Sequence, residues 1–134
     1  MKLYGIRYKR REGQSLVETA LVLPILLLIL TGIIDFGMLF NNYLIVNNAS
    51  REGARSAAIG STDEQIRTAV YNVASTLDSS RLTVTITPDQ TVGRSTGDSV
   101  AVTVEYEYNM ITPIVAAIVP GPLDLRTSTT MRCE

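Results

Sequence analysis

The sequence predicts an α+β protein: a long N-terminal membrane-spanning helix, a second amphipathic helix, and a small antiparallel sheet of about three strands. Three observations predict it. An apolar block of nineteen residues, Leu16–Ile34, follows a basic segment. Helical spacing continues beyond that block without a Pro as far as Ile59. The last third of the chain then changes to a two-residue alternation, the period of a half-buried strand. The expected organisation is a basic cytoplasmic leader over 1–13, a helix over 14–60 with its membrane part at 16–34, and an exported α+β domain over 61–134.

The 134 residues suffice for one small domain, with 46% hydrophobic and 19% charged side chains, fewer charges than the usual quarter. There is no His and one Cys, so no His general base, no Ser/His/Asp or Cys/His pair, and no His- or thiolate-based zinc site can be built. No intrachain disulfide is possible either. An enzyme would have to work with carboxylates, Lys or hydroxyls alone, and since the sequence offers no such constellation, no enzyme activity, cofactor or metal is expected. The formal net charge of -1 argues against nucleic acid as a partner, since that would ask for a basic face. The near-neutral total hides an asymmetry. Lys2, Arg7, Lys9, Arg10 and Arg11 stand against Glu12 alone, whereas from Gly13 onward seven Arg face twelve Asp and Glu.

At about 1.5 Å per residue, the Leu16–Ile34 block spans roughly 28 Å, close to the hydrocarbon thickness of a bilayer. Basic residues before it put the N-terminus in the cytoplasm and everything after Asp35 outside. The lipid bilayer of the cytoplasmic membrane is thus one expected partner, crossed once. A cleaved secretory signal fits less well: the run exceeds the usual 7–15 apolar residues, and no small-x-small site follows it closely.

Glu18 lies three residues into this run. A carboxylate at the centre of a membrane helix costs about 2.5–3.5 kcal/mol, less near the edge. It can snorkel to the headgroups or be protonated. Its setting, Arg10-Arg11-Glu12-Gly13-Gln14-Ser15-Leu16-Val17-Glu18, also resembles the type IV prepilin cleavage motif. In that motif a prepilin peptidase cuts after the Gly on the cytoplasmic side. The resemblance implies processing between Gly13 and Gln14, with Glu18 as the fifth residue of the mature chain. A new α-amine at Gln14 could then meet the Glu18 of a neighbouring helix, because a carboxylate in apolar surroundings needs a cation.

Three further strings extend the likeness. Val17-Glu18-Thr19-Ala20-Leu21-Val22-Leu23-Pro24, Gly32-Ile33-Ile34-Asp35-Phe36-Gly37 and Ala49-Ser50-Arg51-Glu52-Gly53-Ala54-Arg55 together resemble the TadE-like family, minor pilins (pseudopilins) of the tight-adherence pilus machinery. The end, Thr129-Thr130-Met131-Arg132-Cys133-Glu134, is also similar to family C-termini. The resemblance implies a pilin-like spine and a structural role in pilus assembly and adhesion. It implies other pilins, a prepilin peptidase, an inner-membrane platform and a secretion ATPase as partners. Major-pilin status fits less well, because major pilins of these systems are much shorter chains. The alternative is an unprocessed single-span envelope protein whose exported domain binds a protein or a surface polymer.

Along the helix, Pro24 removes one backbone hydrogen bond and marks a place for a bend. Phe36, Phe40, Tyr43, Val46, Ser50, Ala54 and Ala57 recur at helical spacing, while Asn41-Asn42 and Asn47-Asn48 could interrupt it. Ala49, Gly53 and Ala57 form a small-residue face that permits close approach of a sheet or a neighbouring helix, or reflects only the helix preference of Ala. Arg51, Glu52 and Arg55 fall within one turn, as a solvated ion-pair cluster or a subunit contact.

Gly60 ends the spine, and Ser61-Thr62-Asp63-Glu64-Gln65 reads as a new N-cap with acids in the first turn. Ile66, Val70, Val73 and Leu77 give one apolar face, predicting an amphipathic helix over Asp63–Leu77. Leu82, Val84 and Ile86 alternate with Thr, as do Val100, Val102, Val104, Tyr106 and Tyr108 with Ala, Thr and Glu; Leu123–Met131 suggests a third strand. Ile111–Val119 is either a short helix or a buried loop. Glu105 and Glu107 share one strand face, but they oppose the Val/Tyr face and so read as solvated. Cys133 is either an inert end or the source of an interchain disulfide.

Overall fold

The computed structural model describes the backbone of residues 9–134 and the side chains of residues 13–134; the sequence-predicted leader lies largely outside the described residues. Helix α1, Lys9–Ala58, runs through fifty residues, about 75 Å. Its described part already includes residues 9–13, which the predicted boundary left in the leader, because Arg10, Arg11, Glu12 and Gln14 are good helix formers and one Gly does not stop them. The helix continues through Pro24 and both Asn pairs. It ends where Gly60 takes φ 81°, a conformation that favours Gly.

Helix α2, Asp63–Val73, begins at a reciprocal capping box: Thr62 accepts from the Gln65 N–H, and the Gln65 side chain accepts from the Thr62 N–H. It ends one turn earlier than predicted. Ala74, not Val73, completes the inward face with Ile66, Val70 and Leu77, and Val73 is exposed.

Strands β1 (Leu82–Thr87), β2 (Ser99–Tyr108) and β3 (Leu123–Arg132) form an antiparallel sheet in the order β1-β2-β3. Val84 faces Val104 across the first ladder, and Val104 faces Thr127 across the second. The short helix α3, Pro113–Ile118, fills the β2–β3 connection. It resolves the predicted choice in favour of helix.

One sheet face carries Leu82, Val84, Ile86 and the inward Val and Tyr side chains of β2, all buried. Against it lie α2 and the second half of α1, with Val46, Ala49, Ala54 and Ala57 in the same core. The other face is polar: Thr103 Oγ1 donates to Ser128 Oγ at 2.9 Å, and Arg126 Nε meets Glu105 Oε1 at 3.0 Å. Glu105 thus sits on the solvated side, as its alternation predicted.

The stripe expected along α1 holds only from Val46 onward. Phe36, Phe40 and Tyr43 are exposed, and Asp35 with half-buried Leu39 and Ile45 takes the inward side at that level. The inward line climbs from Asp35 through Leu39 and Val46 to Gly53, a set that hydrophobicity alone does not mark because it starts with a carboxylate.

Candidate functional site: a bare apolar half-helix carrying a mounted domain

The two halves of α1 have different surroundings. Beyond Ile45 the helix is packed into the domain, and its small residues decide how closely. Ala49 and Gly53 are buried, and a Cβ placed on Gly53 would lie 2.7 Å from Val70 Cγ2 and 2.9 Å from Val102 Cγ1. The small-residue face is therefore used by the chain's own α2 and sheet. Between them, Ser50 Oγ donates to the Val102 carbonyl at 2.8 Å and lies 2.9 Å from Thr129 Oγ1. A helix hydroxyl is thus tied to the central and edge strands inside the core, where an unpaired polar group would cost roughly 1–3 kcal/mol.

Arg55 points outward on the same turn, 4.0 Å from Glu52 and largely exposed. Such an exposed pair contributes little to stability, and the Arg55 guanidinium stays at the surface beside Glu52.

The first half is bare. Its most apolar window is long enough to cross a membrane by length and composition, and none of it is covered by the rest of the chain. Leu16, Leu21, Ile25, Leu26 and Ile33 all stand exposed. Each exposed Leu or Ile forgoes about 1.5–3 kcal/mol of burial in water, so this surface belongs in lipid or against other apolar helices.

Glu18 sits on this bare surface, beside Thr19, Val22, Leu23 and Leu26, which line a shallow groove with it. Thr19 Oγ1 donates to the Ser15 carbonyl at 2.9 Å and Thr31 Oγ1 to the Leu28 carbonyl at 3.0 Å, so these hydroxyls are satisfied within the helix. Pro24 lies within the same segment, between one and two turns beyond Glu18. Gly13 and Gln14 are helical and exposed, with nothing within 4 Å of the Gly13 Cβ position.

The domain end is held by two polar clusters. Arg94, whose side chain is 9% exposed, pairs with Asp63 and donates to the Pro88 and Ser61 carbonyls. Burial pushes the Asp63 carboxyl up. Hydrogen bonds from the Arg94 guanidinium and the Gln90 N–H, with the positive charge of Arg94, outweigh that and hold it below its ordinary value. This latch joins the start of α2 to the β1–β2 connection. At the other end of the sheet, Asp35 is 2% exposed; its Oδ2 accepts from the Thr112 N–H at 3.3 Å, and its carbonyl accepts from the Tyr108 hydroxyl at 3.5 Å. Burial, with the charge of Asp35 and the neighbouring Tyr106, raises the Tyr108 hydroxyl above 10.0. Neither cluster stood out in the sequence; both join residues more than thirty or seventy positions apart.

Cys133 is buried in the core cluster as a free thiol, and its N–H donates to the Asp98 carbonyl at 2.7 Å. The chain end is an ordered clasp, with Glu134 N–H donating to the Ala58 carbonyl at 3.0 Å. An interchain disulfide would have to open it.

Among the described residues no group of three or more His, Cys, Asp or Glu is placed to hold a metal ion. Residues 13–55, about a third of the chain, match the TadE-like protein family. The match contains all three strings that carried the resemblance, and that family is associated with the tight-adherence pilus. No curated protein and no solved structure matches the chain significantly.

Proposed function

We propose that this chain, whose residues 13–55 carry the TadE-like pattern, is a minor pilin-like subunit that supports assembly of a tight-adherence pilus and surface adhesion. The observation that carries the reading is the division of α1: a bare apolar half bearing one carboxylate, and a half packed into the core of the domain. Such a helix can bundle laterally with other pilins while the domain stays outside the bundle.

In this reading a prepilin peptidase cuts between Gly13 and Gln14 at the cytoplasmic face. That bond lies inside a helix, which must unwind locally for a protease to reach it. Gly13 eases the step because Gly costs a helix about 1 kcal/mol relative to Ala. The Gln14 amine of one subunit then satisfies the Glu18 of the next, as the prepilin motif implies. Pro24, with no N–H for the Ala20 carbonyl, lets the helix adapt within the bundle. Ala49 and Gly53 hold the domain onto the helix, and Arg55 offers a contact to neighbouring subunits. The N-terminus stays inside, the domain is exported, and an inner-membrane platform receives the subunit.

Changing Glu18 to Ala tests the reading in cells that make the pilus. The expected result is a chain still found in the membrane but lost from the sheared pilus fraction. Incorporation equal to that of the unchanged chain would favour a permanently anchored protein instead.

A further inference from the structure

The β2–β3 connection carries an apolar surface that assembly through α1 does not use. Residues 109–123 contain no charged side chain. Within them Ile111, Ile114 and Ile118 recur at three- and four-residue spacing and are 63%, 50% and 69% exposed. Val115, Ala116 and Val119, on the opposite side, are half-buried. Elsewhere on the domain, exposed large apolar residues such as Ile59 and Val92 stand singly, which is ordinary for a protein surface.

The position of this patch says what covers it. The hydrogen bond from the Thr112 N–H to Asp35 Oδ2 pins α3 to α1 at the level of residue 35. The surface of α1 stays apolar past that level, with Phe36, Met38 and Phe40 exposed, and turns polar at Asn41. A hydrocarbon core of about 30 Å takes about twenty helical residues. Counted back from Phe40, it reaches Leu21, a placement further out than the Leu16–Ile34 span expected from sequence, which leaves Glu18 at the inner interface until helices bundle. Asp35 then falls about 8 Å inside the outer edge of the apolar band, at 1.5 Å per residue. The apolar face of a segment lying in a membrane interface is buried about 5–10 Å into the headgroup/acyl boundary. The same placement accounts for the burial of Asp35: α3 and Tyr108 cover a carboxylate that would otherwise face lipid at that depth.

We infer that α3 is a membrane foot: Ile114 and Ile118, with Ile111 in the bend just before the helix, seat in the bilayer leaflet on the domain's side, fixing the height and tilt of the domain before assembly. The inference rests on the reading of α1 as a membrane span. The bilayer is the occupant because the Thr112–Asp35 hydrogen bond holds the patch at the level of the apolar band of α1.

The chain has no Trp, so each introduced Trp is a sole reporter. Full-length Ile114→Trp, Ile118→Trp, Leu27→Trp and Val92→Trp variants are reconstituted singly into phosphatidylcholine/phosphatidylglycerol vesicles containing nitroxide-labelled lipids. Ile114→Trp and Ile118→Trp should emit at shorter wavelength than Val92→Trp. Both should be quenched several-fold more than Val92→Trp, most strongly by a label near the headgroup end of the acyl chain. Leu27→Trp should be quenched most by a label at the chain tip. Deep quenching of Leu27→Trp with both α3 reporters behaving like Val92→Trp would overturn the foot and leave the span standing. An unquenched Leu27→Trp would remove the span and the foot together. A blue shift at α3 without lipid quenching, lost when the protein is diluted among lipid, would mean a second copy covers the patch and would also overturn the inference.

Discussion

Gly53 packs against Val70 with no room for a side chain: a Cβ there would come within 2.7 Å of Val70 Cγ2. Val102 Cγ1 closes the other side at 2.9 Å, so one glycine sets the distance of α1 from both α2 and the central strand.

Gly53→Ala should therefore destabilise the domain even though Ala favours helices. Val70 and Val102 are β-branched and cannot turn aside freely. The overpacking cost of about 1–3 kcal/mol exceeds the roughly 1 kcal/mol of helix propensity regained. Urea unfolding of the full chain in micelles, followed by its tyrosine fluorescence, should show an earlier midpoint with an unchanged slope.

Ser50→Ala removes the donor to the Val102 carbonyl and the partner of Thr129 Oγ1. The expected loss is about 1–2 kcal/mol. Combining it with Thr129→Val should cost less than the sum of the two, because the second change removes the group left unpaired by the first.

Thr127 presents a different balance, since its Oγ1 is buried without a hydrogen-bond partner. Thr127→Val keeps the shape and β-branching and removes an unsatisfied polar atom. It should stabilise the domain, by up to about 1 kcal/mol, as a later urea midpoint.

The Arg94–Asp63 latch predicts an acid response. Folded Asp63 titrates below its ordinary value of 3.8, so its stabilisation is present above 3.8 and is lost as pH falls through the lower folded value. In that range the unfolded chain takes up a proton that the folded chain refuses. Arg94→Ala should cost about 1–3 kcal/mol near neutrality, the lower part of the range reflecting the partial exposure of Asp63. It should also flatten the fall in stability below pH 3.8, measured as urea midpoints against pH.

Much of this architecture was legible from local pattern. The alternation of Val and Thr placed β1 and β2 and their inward faces, and the Ser61–Gln65 string with its acids marked the start of α2. The helicity of residues 9–13 was not, because Arg10–Gly13 reads as a charged leader although Arg10, Arg11 and Glu12 are good helix formers. Nor was the inward face of α1 near the membrane. Phe36 and Phe40 follow helical spacing, yet lipid competes with the core for apolar side chains, and the inward position went to Asp35. Of the proposed site, Glu18 and Gly13 are visible as a spacing. The use of Ala49 and Gly53 within the chain required the fold, because small residues suit an intramolecular sheet and a neighbouring helix equally well. The Asp35–Thr112 contact joins residues 77 positions apart and leaves no periodic trace.

The most direct test of the account is the N-terminus of the membrane-extracted chain, read by intact mass and N-terminal sequencing with and without its cognate prepilin peptidase. The account predicts a chain beginning at Gln14 when the peptidase is present and an unprocessed chain when it is absent. A chain that retains its leader under both conditions would contradict it, leaving Glu18 as a carboxylate at the edge of a permanent anchor.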